Sequence, residues 1–132
     1  ELWLGSDQYG FNADAAKVLE AVEAASLPQL TYLGLRNAEI ADNIAKRLEA
    51  SPLLEQITVL DLSMGNLSDE GAEALLDNPA IKNLSRLILD HHYVSEDTIE
   101  QLGDLGIAVQ AEDPQEEDHY GDEIYRYIAV SE

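Results

Sequence analysis

Apolar residues recur along this chain in one pattern, which is clearest at Leu30-x-x-Leu33-x-Leu35-x-x-Ala38-x-Ile40. The pattern returns as Ile57-x-x-Leu60-x-Leu62-x-x-Gly65-x-Leu67 and again as Leu84-x-x-Leu87-x-Leu89-x-x-His92-x-Val94, with its first position at 30, 57 and 84. That constant spacing falls in the range where one strand and one helix make up a repeat. Alternation within each pattern predicts a short strand with its leucines on one face. Between the strands, helical spacing takes over. Val18, Leu19, Val22 and Ala25 share one face of a stretch from Asp14 to Ala25, and Ile40, Ile44 and Leu48 do so through Ala50. Pro28 and Pro52 end these stretches.

Ser68 before Asp69 and Glu70, and Ser95 before Glu96 and Asp97, read as helix N-caps followed by acids that favour the first turn. Ala72, Leu75 and Leu76 form the buried face of the first of these helices, and Ile99 and Leu102 that of the second. The next strand, Leu105 to Val109, is expected early, with Leu102 taking the first pattern position and the last repeat shortened. Leu2-Trp3-Leu4 fits the fourth to sixth pattern positions, so the chain is expected to begin inside a strand as part of a longer protein. An apolar strand edge exposed there predicts self-association.

Residues 112–123 change character, with seven acids among few apolar residues, and are expected to form a flexible acidic segment. Residues 124–132 begin with the aromatic and β-branched run Ile124 to Val130, expected to dock as a strand or cap over Leu105 and Ile107. The organisation expected is therefore a repeat array over residues 1–111, the acidic segment, and the terminal cap.

The three patterned stretches resemble the ribonuclease-inhibitor-like subclass of leucine-rich repeats. The resemblance implies an α/β solenoid of about five coils, with parallel strands on the concave side and helices on the convex side. It also implies a protein-binding role. At the ninth position the family tends to place Asn or Cys to bond the turn backbone; here it holds Ala38, Gly65 and His92, so that ladder is expected to be largely missing. The acidic segment with Tyr125-Arg126-Tyr127 and Val130-Ser131-Glu132 is similar to the ends of uncharacterised bacterial repeat proteins.

Side chains between the leucines point away from the core. Trp3, Gly34, Asp61 and Ile88 are expected at one level of the outer strand face, Gly5, Arg36, Ser63 and Asp90 at the next, and Tyr32, Val59 and Arg86 one step earlier. Aromatic and arginine anchors beside acids suit an interface. The candidate binding residues are therefore Trp3, Tyr32, Arg36, Asp61, Arg86 and Asp90, on one continuous exposed surface. Asp90-His91-His92 is the one cluster that invites a metal or a general base. Neighbouring strand residues face opposite ways, so a structural role at the strand-to-turn corner is expected instead. The stretch from Glu116 fails the calcium-loop pattern, with Tyr120 and Tyr127 at ligand positions. No serine-hydrolase elbow, phosphate loop or dinucleotide fingerprint occurs. No metal, cofactor or enzymatic activity is expected.

Charge sharpens the choice of partner. The chain carries 27 acids against 7 bases, a formal charge of −20, which argues against nucleic acid and anionic membranes. It lacks cysteine, which favours a reducing, cytoplasmic setting. The leading expectation is a non-enzymatic module binding a protein on its concave face. The alternatives are an acidic decoy or inhibitor of a basic protein, a scaffold part of a larger multidomain protein, and an enzyme with a site around Asp90 and His91.

Overall fold

The computed structural model describes residues 2–5, 15–25, 27–120, 123–125 and 128–129. Strand β1 (Leu2–Gly5) precedes helix α1 (Ala15–Ala24), followed by β2 (Tyr32–Ala38), α2 (Ala41–Arg47), the short α3 (Leu53–Gln56) and β3 (Val59–Asp61). Then come α4 (Asp69–Asp77), β4 (Arg86–Ile88), α5 (Glu96–Gly103) and β5 (Ala108–Gln110), and finally the hairpin β6 (Asp118–Tyr120) and β7 (Glu123–Tyr125). The fold is α/β. Strands β1 to β5 form one parallel sheet in which spatial order equals chain order, and β6 pairs with β7 antiparallel.

Parallel neighbours need a crossover, and each helical connection supplies one. The leucines at the fourth and sixth pattern positions (Leu33, Leu35, Leu60, Leu62, Leu87 and Leu89) are all buried. Against them lie Val18 and Leu19 of α1, Ala41, Ile44 and Ala45 of α2, Ala72 and Leu75 of α4, and Leu102 of α5, all members of one apolar cluster. Helical spacing brings these residues onto the sheet side, which is why the rest of each helix can be acidic.

Register follows the repeat where the repeat is regular. Tyr32 pairs with Val59 and Val59 with Arg86; Gly34 pairs with Asp61 and Asp61 with Ile88. Two departures occur at the ends. Trp3 pairs with Arg36, not Gly34, a slip of two residues that the apolar pattern does not detect because it keeps every side chain on its own face. The last strand starts at Ala108, opposite Arg86, because Leu102 belongs to the buried stripe of α5 and not to a strand. Gly106, at φ 88°, makes the turn between them. The last unit is short, with an offset of 22 residues from β4 to β5 where β2 to β3 and β3 to β4 have 27.

The corner after each strand is built the same way three times. Asn37, Met64 and His91 adopt φ of 55°, 63° and 63°, the left-handed region that non-glycine residues seldom enter. Their N–H groups donate to the carbonyls of Ser63, Asp90 and Glu112 in the following unit, at 2.9, 2.7 and 2.9 Å. A ladder therefore exists at the corner, though mainly in the backbone. His92 adds a side-chain rung that the Asn-or-Cys pattern did not anticipate: its Nδ1 accepts the Val94 N–H at 3.0 Å and its Nε2 faces the Ala111 carbonyl at 3.2 Å. Gly65 permits the close approach of two units, since a Cβ there would stand 2.8 Å from the Ala38 carbonyl oxygen.

Aspartates tie successive helices together. Asp42 accepts the N–H groups of Ser68 (2.7 Å) and Gly71 (3.2 Å) and the Ser68 hydroxyl (2.5 Å), so the start of α4 is capped from the preceding unit rather than by Ser68. Asp69 accepts the Ser95 N–H at 2.7 Å, and Ser95 in turn caps α5 at Thr98.

The end of the chain differs from the expected picture. Residues 112–123 include ordered contacts: the Glu112 N–H donates to Asp90, the Gln115 N–H donates to the His92 carbonyl, and β6 follows. These contacts are corner backbone bonds and strand pairing, which need no apolar side chains. Ile128 is buried, and the Ala129 N–H donates to the Met64 carbonyl at 2.8 Å. That contact lies in the third unit rather than at the last strand, where Ile107 is already covered within the main cluster. Residues 6–14, 126–127 and 130–132, including the expected turn after β1 and Tyr127, lie outside the described residues.

Leu60→Ala is expected to lower the free energy of unfolding by about 2–5 kcal/mol. Gly65→Ala should cost about 1–3 kcal/mol through overpacking at the corner. Urea denaturation followed by circular dichroism measures both, and unchanged midpoints would contradict this register.

Candidate functional site

The outer face of the sheet presents one side chain in two from each strand. Tyr32, Val59, Arg86 and Ala108 form the first level, Gly34, Asp61, Ile88 and Gln110 the second. Arg36, Ser63, Asp90 and Glu112 follow at the corner. At the first level Tyr32 is 37% exposed and Arg86 and Ala108 are exposed, with Val59 half-buried between them.

Asp61 departs most from expectation. The repeat predicts it on an exposed surface, yet its side chain is only 6% exposed. Its Oδ1 accepts the Ser63 N–H at 3.0 Å and its Oδ2 accepts the Tyr32 hydroxyl. Short acidic side chains bond readily to backbone two residues on, and that local bond draws Asp61 down onto the sheet. Arg36 lies alongside, its Nε 3.7 Å from Asp61 and 3.0 Å from the Ser63 hydroxyl, with Nη2 at 3.0 Å from the Met64 sulfur. Its side chain is 28% exposed. Tyr32, Asp61 and Arg36 thus form one network.

A second network occupies the other half of the face. Asp90 is half-buried; its Oδ1 accepts the Glu112 N–H at 2.8 Å and its Oδ2 accepts the Gln110 amide. The Gln110 Oε1 then accepts from Arg86. Gln110 escapes the pattern because the shortened repeat predicts Leu105 opposite Leu87, where Val109 stands, four residues on. Trp3 lies beside Arg36 in the sheet, and its side chain is outside the described residues. The structure therefore gathers Tyr32, Arg36 and Asp61 into one cluster and Arg86 with Asp90 into another, on a single face.

The histidines do not converge. His91 Nδ1 is 3.7 Å from Asp113, and its ring stands edge-on to Tyr93 at 6.1 Å, while His92 is spent on the corner backbone. Among the described residues no group of three or more His, Asp and Glu side chains is placed to hold a metal ion. Two clefts flank Leu27, which is 49% exposed: one of about 380 Å³ reaching Pro52 and Gln56, another of about 290 Å³ reaching Tyr32 and Gly34. Their walls are mainly apolar, and neither gathers a nucleophile with a base. Among the described residues no helix is long and apolar enough to cross a membrane.

No protein-family model matches the chain, and no curated protein matches it significantly. A crystal structure of a protein from Bacteroides fragilis is similar to it, with 27% identity and a TM-score of 0.78 over 97% of this chain. The chain spans 35% of the length of that protein. The likeness covers nearly every unit described above.

Asp61→Ala is expected to lose about 1–3 kcal/mol of stability, because it strands the buried Ser63 N–H. Arg86→Ala, at an exposed position, should change stability by no more than about 0.5 kcal/mol. Parallel urea titrations compare the two, and equal losses would contradict the burial of Asp61.

Proposed function

We propose that this chain is part of a leucine-rich-repeat solenoid of about five coils, similar to ribonuclease-inhibitor-like and bacterial leucine-rich repeat proteins. In this reading it is a non-enzymatic module that binds another protein on its strand face. The observation that carries the reading is the outer sheet face itself, where Tyr32 and Arg86 stand exposed around half-buried Val59 and Ile88. Aromatic and arginine side chains over an apolar floor are the composition of interface hot spots. Stacked repeats present such a surface for contact. Asp61 contributes by holding Tyr32 and Arg36, and Asp90 by holding Gln110. Neither needs to touch the partner. No cofactor enters this role, nucleic acid and membrane surfaces are not partners in it, and a cysteine-free chain suits the cytoplasm.

The acidic-decoy alternative would use the helices, where Glu20, Glu49, Glu73, Glu96, Asp97 and Glu100 are exposed. Capture by diffuse charge fades as salt shortens the Debye length, whereas a desolvated interface does not. The test immobilises the whole chain, identifies a bound protein, and repeats the capture with variants. Tyr32→Ala and Arg86→Ala should each reduce affinity about tenfold or more. Glu73→Gln and Glu100→Gln should leave it unchanged, and about 0.3 M salt should weaken it only slightly. The opposite pattern would overturn the strand-face reading in favour of charge capture.

A further inference from the structure

The charge of this protein is not spread evenly over its two surfaces, and the difference bears on what the strand face can bind. The two aspartates near the centre of that face have their oxygens occupied from within. Asp61 is buried and accepts from the Ser63 N–H and the Tyr32 hydroxyl. Asp90 accepts from the Glu112 N–H and the Gln110 amide. Arg36 is partly covered and sits 3.7 Å from Asp61. Arg86 is different. It is exposed, its hydrogen-bond partner is the neutral Gln110, and among the described residues it makes no ion pair. Its lateral neighbours in the sheet are Val59 and Ala108, and Ile88 follows it on the same face of its own strand; all are neutral. Glu112, an exposed acid, stands at the corner of the last unit, level with Asp90 rather than with Arg86.

Resting on the strand-face reading above, we infer that Arg86 is the anchor for a carboxylate side chain on an acidic segment of a partner protein. The relay from Asp90 through Gln110 orients the guanidinium. The Gln110 Nε2 is committed to Asp90, so its Oε1 faces Arg86 and holds one edge of the group. The remaining N–H donors form a planar fork that matches a carboxylate in two parallel bonds. Val59 and Ile88 supply the apolar floor for the methylenes of an aspartate or glutamate. A chain of formal charge −20 thus presents a cationic contact on its strand face, and its acidic helices repel the same partner from the convex side.

The experiment records NMR spectra of the whole chain, following backbone amides and arginine Nε–Hε signals. The probes are an acetylated, amidated hexapeptide with one glutamate among alanine and leucine, its glutamine and lysine counterparts, and inorganic phosphate. The glutamate peptide should shift Arg86 Nε–Hε and the amides of Val59, Ile88 and Gln110 in a saturable way. Arg86→Gln and Arg86→Lys should each weaken it about tenfold, the second because an ammonium cannot form the fork. Equal binding of the glutamine peptide, no saturable shift at Arg86, or an equal response to phosphate would overturn the proposal. If the lysine peptide alone shifts strand-face amides, the carboxylate assignment fails while the strand-face reading stands. If the peptides shift only helix amides, both fail.

Discussion

The turn that closes each strand is the constraint on which the rest of this molecule depends. A residue held in the left-handed region at Asn37, Met64 and His91 sends its N–H to the carbonyl of the next unit, so each corner takes its geometry from its neighbour. Such a backbone conformation costs on the order of 1 kcal/mol for a non-glycine residue and persists only when surroundings over-determine it. Here they do. Gly65 lets the adjacent backbone close in, the leucines of each strand are buried on its core face, and His92 fills the following position with two bonds to backbone groups. A one-residue slip would turn every leucine to solvent.

Aspartate and glutamate divide the work of this acidic chain between them. Asp42, Asp61, Asp69 and Asp90 all accept backbone N–H groups, three of them from a neighbouring unit. Their short side chains reach the main chain without spanning solvent. The glutamates on the helices, with longer and more mobile side chains, stay mostly exposed. These four of the 27 acids are therefore internal joinery rather than free surface charge. The outer strand face is consequently far less acidic than the chain as a whole.

The regular part of the fold was legible because a constant period sets both which residues are buried and which stand side by side. Tyr32, Val59 and Arg86 lie level as their spacing implies, and so do Gly34, Asp61 and Ile88. What escaped has physical causes. The pairing of β1 is displaced by two residues, to which a two-residue alternation is blind. The last strand was misplaced because Leu102 satisfies a strand pattern and a helix stripe equally well, and only the cap at Ser95 with the turn at Gly106 decides for the helix. Asp61 looked like an exposed charge because alternation tells direction and not depth. Its burial combines the local bond from the Ser63 N–H with the cover of Tyr32 and Arg36, residues in another unit.

The bond from Ala129 to the Met64 carbonyl changes how such an array comes apart. Units that touch only their neighbours fray from the ends inward, each loss independent of distant ones. Here β6 pairs with β7 beyond the last unit and Ala129 bonds to the third, so the final units are bridged by a contact of long sequence separation. Closing that loop is slow relative to stacking neighbours, and it is entropically unfavourable until the units it joins are in place. The contact at Ala129 is therefore expected to close late, after the units it joins are in place, and to couple the end of the described chain to the third unit.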